Sequence, residues 1–451
     1  MHNVVNAWTI CPMTAMSPPL LAFDTADPAF VRLPWERYEE IRGRGGVVFN
    51  ERVNRWMVSD FAPAKTILTS TERFGSEKGQ AEQAGVFGGP TMEFYDGPHH
   101  DRIRAIWSHD FRAKDLAALR PMITDIVRCR LDPVLTRLRD GETVEIVSEL
   151  TRGIPTAVIA RMLGIESAMV DQFSAWSDAM GASAEGYTNP GKRGEVLIAA
   201  GRQATAELNA YLRAEIGRLR DAGDDEPGLI ATMVRHQYAR SHMTEQEVVA
   251  GNTQLVFAGN ETTAKLLAQI VATLADHPDQ RRAVRTDRSL IPAATEEVHR
   301  YETITHSVFR DVIADDTSVA GVAIPAGARI TLLLGAANRD PLRWERADQF
   351  DVSRPKLSHL GYAFGLHSCL GMNLARLEAH IFLEELIDAL PDWHVTAPVD
   401  FGTNYAVRGP AAVHISTSAS RASTFDKNGS GGAHDQARTA LRHGDGRRPV
   451  P

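Results

Sequence analysis

The amino-acid sequence predicts one mainly α-helical domain with small β-sheets, and three observations carry that expectation. Apolar residues recur at helical intervals through most of the chain. One run, 244–276, reads as a single helix of about 33 residues, roughly 50 Å long at 1.5 Å per residue and so long enough to cross a whole domain. The extended segments are short and come in pairs around turns.

Residues 1–19 carry Pro12, Pro18 and Pro19 and lack a basic region followed by a compact apolar block, so they read as an irregular arm. VVFNE (47–51) and RWMVSD (55–60) flank a short turn as a hairpin, and FAPAKTILTS after them has helical spacing. Helical spacing holds from Gly97 to Leu138, with interruptions expected at Pro121 and Pro133. A short strand or turn at 143–151 precedes a helix at 155–165, and ASAEGYTNPGKRG (182–194) is a loop by composition. Thr244 and Glu247 form a capping box that opens the long helix, and His277-Pro278 closes it. Strands at 317–324 and 328–334 bracket a Pro325-Ala326-Gly327 turn, and a Gly-rich loop at 361–371 leads into a last amphipathic helix, 372–390. Residues 417–451 are rich in Ser, Gly, Ala and Arg. They offer too little apolar surface to offset their ordering entropy and are expected to form a disordered tail.

Lys+Arg 49 against Asp+Glu 57 gives a net charge of -8, so no global positive field favours nucleic acid. Hydrophobic residues at 43% and charged residues at 24% are the balance of an ordinary soluble protein. Three cysteines, Cys11, Cys129 and Cys369, cannot make a disulfide framework and point to a reducing cytoplasm. No apolar run is long enough for a membrane span, and Asn252, Asn260, Glu261 and Lys265 exclude one in the long helix.

Chemistry concentrates in three places. Cys369 lies in HLGYAFGLHSCLG at the mouth of the last helix, where loop amides and a helix N-terminus favour a thiolate. Such a thiolate suits an iron ligand or, with His367 as base, a nucleophile. AGNETT (258–263) puts Gly259 and polar residues in the middle of the long helix, where Thr262 can bond back to a carbonyl one turn earlier and bend it. Glu297 and Arg300 stand at i,i+3 and can pair, most often as a weak surface salt bridge.

Taken in order, these motifs resemble the haem-thiolate monooxygenases, the cytochromes P-450, of the soluble bacterial type, over roughly residues 20–416. The cysteine loop of that family matches Tyr362, Gly365, His367, Cys369 and Gly371, and its central-helix Ala-Gly-x-acid-Thr matches Ala258, Gly259, Glu261 and Thr262. Glu297, Arg300 and the later Arg354 resemble its Glu-Arg-Arg triad, AANRDP (336–341) is typical of bacterial members, and DGPHHDRIR (96–104) resembles its propionate-binding segment. Tyr362 and Ala363 depart from the usual Phe and Gly.

The resemblance implies the cytochrome P-450 fold, with haem b between the long central helix and the cysteine loop. It makes Cys369 the iron ligand, His100, Arg104, Arg310 and His367 the propionate donors, and Glu261 and Thr262 the groups that pass protons to dioxygen. A salt bridge, for example to an arginine outside the helix, is the competing role for Glu261, and back-bonding alone is that for Thr262. Family position suggests a substrate pocket bordered by the 83–95 loop with Val86 and Phe87 and by Val256, Ala258, Ile304 and Tyr405; His306 is either a polar wall residue of that pocket or a histidine satisfied by a local partner. The chain has no four-cysteine ferredoxin pattern, so a separate ferredoxin and its reductase are implied, docking where Arg112, Lys114 and Arg376 supply positive charge. A peroxygenase or isomerase of the same fold and a haem-based sensor are the competing functions.

Overall fold

The computed structural model describes residues 19–79, 86–188, 192–222, 226–236, 243–355 and 358–417. The expected arm, except its last residue, and the expected tail beyond Thr417 lie outside them.

Strands β1 (Leu20–Leu21), β2 (Val47–Asn50), β3 (Arg55–Val58), β4 (Phe74–Gly75), β6 (Ser307–Val312) and β9 (Arg329–Leu333) form one sheet in the order β1-β2-β3-β9-β6-β4. The β2–β3 hairpin is the one read from sequence, with Val47 opposite Val58. Between β6 and β9 lies the two-stranded pair β7 (Ser318–Val319) and β8 (Val322–Ala323). A third sheet joins β5 (Val144–Glu145), β11 (His414–Ser416) and β10 (His394–Val395).

The rest is helical: α1 (Phe61–Thr69), α2 (Gly97–Ser108), α3 (Arg120–Arg139), α4 (Gly153–Leu163), α5 (Val170–Thr188), α6 (Lys192–Ala222), α7 (Glu245–Asp276), α8 (Ile291–Tyr301) and α9 (Met372–Ala389). Three expectations change. The strand read at 317–324 is itself the β7–β8 hairpin, and β9 pairs with β6 and β3 instead of with it. The 182–194 loop is mostly helix, since α5 runs to Thr188 and α6 starts at Lys192. Ala182, Ala184 and Glu185 are good helix formers, and they outweigh the Ser and Gly between them. Pro121 opens α3 instead of breaking it, and Pro133 sits inside α3 on its exposed face while Leu131, Val134 and Leu135 stay buried. That packing outweighs the one backbone bond a proline removes.

The helix α7 organises the core. Its capping box is complete: Thr244 Oγ1 accepts from the Glu247 amide (3.2 Å) and Glu247 Oε2 accepts from the Thr244 amide (2.8 Å). It packs on α4, α5, α6, α8 and α9 and is buried along most of its length, as from Val248 to Val256 and from Leu266 to Leu274.

Glu297 and Arg300 on α8 are not a surface pair. Their side chains are 5% and 2% exposed, bonded in a bidentate fork at 2.8 Å on both arms. Arg354 Nε (3.0 Å) and the Asp351 amide (3.1 Å) also donate to Glu297 Oε1. Arg300 in turn donates to the carbonyls of Asn338, Ala347 and Gln349. Removing one member of such a network leaves buried charges unbalanced. Glu297→Ala is expected to cost about 3–5 kcal/mol, read as a drop in the denaturant midpoint. A midpoint equal to the parent's would show that the triad does not hold the fold.

Candidate functional site

The loop that presents Cys369 is fixed from several sides. The Cys369 amide donates to the Tyr362 carbonyl (2.9 Å) and the Ser368 amide to the Gly365 carbonyl (3.1 Å). Gly365 has φ +73°, and a Cβ there would stand 2.4 Å from the Leu68 carbonyl oxygen at the end of α1, so only glycine fits this approach. Ala363, where the family commonly has Gly, takes φ 53°, a left-handed conformation that costs an alanine about 1–2 kcal/mol. Strain is therefore stored within the loop itself.

Cys369 is exposed, as is Cys129 on α3. Although the residue itself is exposed, desolvation by the protein packed around it pushes the Cys369 thiol pKa up, while the Gly371 and Met372 amides and the Arg104 and Arg376 guanidiniums pull it down. The sulfur thus meets helix-terminal amides and two cations on one side.

The four expected propionate donors gather around this loop. Arg104 on α2 donates to the Ser368 carbonyl (2.7 Å), and the rings of His100 and His367 meet edge to face at 4.7 Å. His367 Nε2 bonds Asp96 Oδ1 (2.8 Å), and burial holds the imidazole pKa below its usual value. Arg310 on β6 is 8% exposed; its guanidinium bonds the Phe309 carbonyl (2.7 Å), and among the described residues no carboxylate stands within ion-pair distance. A buried cation without an ion pair and an exposed thiol ringed by donors fit haem, whose propionates are anions and whose iron takes a thiolate.

Across from the loop, the middle of α7 is open. Ala258 is exposed, and Phe257, Gly259, Glu261, Thr262 and Lys265 are half-buried in a helix otherwise packed inside. Thr262 Oγ1 donates to the Ala258 carbonyl (2.9 Å), the back-bond expected from sequence, and the helix is unbroken there. Asn260 points the other way and takes a hydrogen bond from Thr156 on α4 (2.6 Å). Glu261 does form a salt bridge, but with Lys265 of its own helix (2.7 Å) and not with an arginine elsewhere.

Several expectations change. His306 is fully buried, with Nδ1 on the Thr303 carbonyl (2.7 Å) and its ring stacked on Tyr38, so it is a packing residue and not a pocket wall. Tyr405 is likewise packed, its hydroxyl 3.3 Å from that of Tyr38. Phe87, Val256 and Ile304 are buried, which leaves Val86 and Ala258 as the accessible members of the pocket set. Arg112 is paired with Asp115 and Arg376 with Glu296, so the positive charge assigned to them is largely balanced.

Sequence reasoning missed Asp96, Lys265 and Asn404 as site residues. Lys265 was legible, four residues after Glu261. Asp96 lay inside a quoted motif. Asn404, which donates to Glu261 Oε1 (3.2 Å) from 143 residues away, carried no signal.

Known proteins are similar throughout this frame. The family described as Cytochrome P-450 matches residues 189–391. Cytochrome P-450 107B1 of Saccharopolyspora erythraea is 31% identical over 407 residues, covering 86% of this chain and 94% of its own. The cytochrome P-450 monooxygenase PikC of Streptomyces venezuelae is 30% identical, covering 84% and 89%. Among solved structures, cytochrome P-450 CREJ in complex with (4-ethylphenyl) dihydrogen phosphate superposes with a TM-score of 0.77 at 32% identity, over 88% of this chain and 98% of that one.

One further group behind the cysteine loop is buried. Glu378 on α9 is 2% exposed, its Oε2 has no hydrogen-bond partner among the described residues, and burial pushes its pKa up to about 8. A carboxyl raised in the folded state favours folding fully below its unfolded pKa, and that contribution is lost as pH rises towards the folded value. Glu378→Gln should therefore gain stability relative to the parent between about pH 4.5 and 8. Denaturant midpoints of both proteins at the two ends of that window check it, and a constant difference would contradict it.

Proposed function

Because the chain belongs to the cytochrome P-450 family, we propose that Cys369 is its iron ligand and that the open middle of α7 delivers the protons of its reaction. The protein is a haem-dependent monooxygenase acting on organic small molecules, with haem b bound through a cysteine thiolate. The observation that carries the residue assignment is the pairing of an exposed Cys369, at the mouth of α9, with an otherwise buried helix opened at Ala258, Glu261 and Thr262.

Haem held through a thiolate supplies the activation of dioxygen, by which one oxygen atom enters the substrate and the other leaves as water. The residues supply the rest. The amides of Gly371 and Met372, with Arg104 and Arg376, favour the anionic form of Cys369. His100, Arg104, Arg310 and His367 hold the propionates, with Asp96 fixing the His367 ring through Nε2. Thr262 gives its own proton to the Ala258 carbonyl at rest, so its oxygen is free to accept one, and the Glu261 carboxyl, next to it in sequence, is the group assigned to pass it on. Phe257, Ala258 and Val86 give the open face an apolar lining suited to an apolar substrate.

Two electrons come from a separate ferredoxin and its reductase. The docking face is a shallow depression of about 370 Å³ lined by Asp101, Arg104, Ala105, Ser108, His109 and Arg112, with the exposed Lys114 nearby in sequence. The catalytic unit is residues 20–416, and it works in the cytoplasm. Among the described residues no helix is long and apolar enough to cross a membrane.

Two measurements test this reading. Cys369→His should abolish the red-shifted Soret band of the reduced carbon monoxide complex, while Cys129→Ser and Cys11→Ser keep it. A thiolate-type spectrum retained in Cys369→Ser would refute the ligand assignment. In Thr262→Ala and Glu261→Gln, haem content should stay near the parent, while product per reduced nicotinamide falls and hydrogen peroxide rises. Removing one acid–base participant typically costs roughly 10²–10⁴-fold. Parent-like coupling in both variants would leave Glu261 and Thr262 as structural residues.

A further inference from the structure

Glu261 is not a loose carboxylate beside Thr262. Lys265 Nζ donates to Glu261 Oε1 (2.7 Å) and to the Val407 carbonyl (2.7 Å). Asn404 Nδ2 donates to the same Oε1 (3.2 Å), and Asn404 Oδ1 accepts from the Val407 amide (3.1 Å). These four hydrogen bonds close a ring through Lys265, Glu261, Asn404 and Val407, tying the middle of α7 to a loop near the C-terminal end of the described chain. That loop is anchored in turn, since Val407 bridges to Thr305 and the Ala406 carbonyl accepts from the His306 amide (2.8 Å).

The stem of Lys265 is placed by the same loop. A Cβ at Gly409 would stand 2.7 Å from Lys265 Cβ, so the lysine runs through a slot that only glycine leaves open. On the far side of the carboxylate, α5 approaches Glu261. A Cβ at Gly181 would be 3.3 Å from Oε2, which takes no hydrogen bond among the described residues. The charged groups near Glu261 from other elements are Asp178 of α5 and, through Asp178, Arg152 (3.4 Å). One oxygen is thus held twice and the other not at all.

The geometry points to Lys265 as a positioning residue for proton delivery: it clamps Glu261 by Oε1 and reserves Oε2 as the oxygen that carries the proton. The inference rests on the relay proposed above for Glu261 and Thr262. Without the ammonium group, the carboxylate loses both the charge that balances it and its link to Val407. It can then leave the position that the ring imposes, and misplacement by about 1 Å is enough to cost up to roughly 10²-fold.

The test uses the haem-loaded protein with a surrogate ferredoxin system and compares Lys265→Met, Lys265→Arg and Glu261→Gln. Lys265→Met keeps the stem and removes the charge. Product per reduced nicotinamide should fall by up to roughly 10²-fold with peroxide rising, and amide hydrogen exchange over 400–409 should accelerate in the resting protein. Lys265→Arg restores a cation with several donors and should recover both coupling and slow exchange, which a general loss of packing would not predict. In Glu261→Gln the amide oxygen still accepts from Lys265, so exchange should stay slow while coupling is lost. Parent-like coupling and exchange in Lys265→Met, with Glu261→Gln uncoupled, overturn the role of Lys265 alone. Parent-like coupling in Glu261→Gln overturns the relay beneath it. Should Lys265→Met fail to take up haem, Lys265→Gln removes the charge while keeping a polar end in the slot, and parent-like coupling and exchange there overturn the role of the ammonium group.

Discussion

The structure depends first on one buried carboxylate. Glu297 takes hydrogen bonds from two arginines and a backbone amide, and Arg300 spends its remaining donors on three carbonyls of the 338–349 segment. Through Asn338, whose Oδ1 accepts from the Leu360 amide (2.6 Å), the same network reaches the start of the cysteine loop. An ion pair this deeply buried gains little net energy over a hydrophobic cluster of equal size. What it imposes is geometry. The guanidinium forks fix directions as well as distances, so the segment leading to Cys369 has one allowed path.

That path delivers a thiol into a setting of opposed electrostatic demands. Desolvation alone would keep Cys369 protonated, and the Gly371 and Met372 amides and two arginines work against it. The same neighbourhood holds Arg310, buried and without an ion pair among the described residues, with Asp96, Glu93 and Asp311 acting on it only from a distance. A protein that keeps a buried cation unpaired and a thiol exposed next to it has been shaped around a bound group with both an anionic edge and a metal. Asp96 limits the excess. By taking His367, it leaves that ring oriented and its own carboxylate held below the usual range by the His367 and Ser76 donors, despite burial.

How much of this was legible follows from the range of each interaction. The capping box of α7, the back-bond of Thr262 and the glycines of the cysteine loop are local, so spacing alone exposed them. The Glu297–Arg300 pair was visible as a pair and its burial was implied by the family resemblance, but the carbonyls of residues 338–349 that fold over it carried no local signal. His306 and Tyr405 looked like pocket residues by position, yet they belong to an aromatic cluster with Trp35 and Tyr38, formed by segments that meet only in three dimensions. The 182–194 stretch failed for a different reason. Its composition is that of a loop, but helix-forming residues on either side of Gly186 carry the helix through.

The middle of α7 shows why function and stability are hard to separate here. Gly259, Glu261 and Thr262 are poor choices for the interior of a core helix, and each leaves a polar or conformational demand to be met. Asn260 meets its demand away from the open face, on Thr156. Glu261 meets half of its own, through Lys265 and Asn404 on a single oxygen. A purely structural solution would satisfy both oxygens, as happens at Glu297, where Arg300 takes one arm of the fork on each. The contrast lies in exposure. Glu297 is 5% exposed and fully bonded, whereas Glu261 is 22% exposed and bonded on one oxygen. Two carboxylates in one core are thus held to different degrees, and the incomplete bonding occurs at the one proposed to pass a proton.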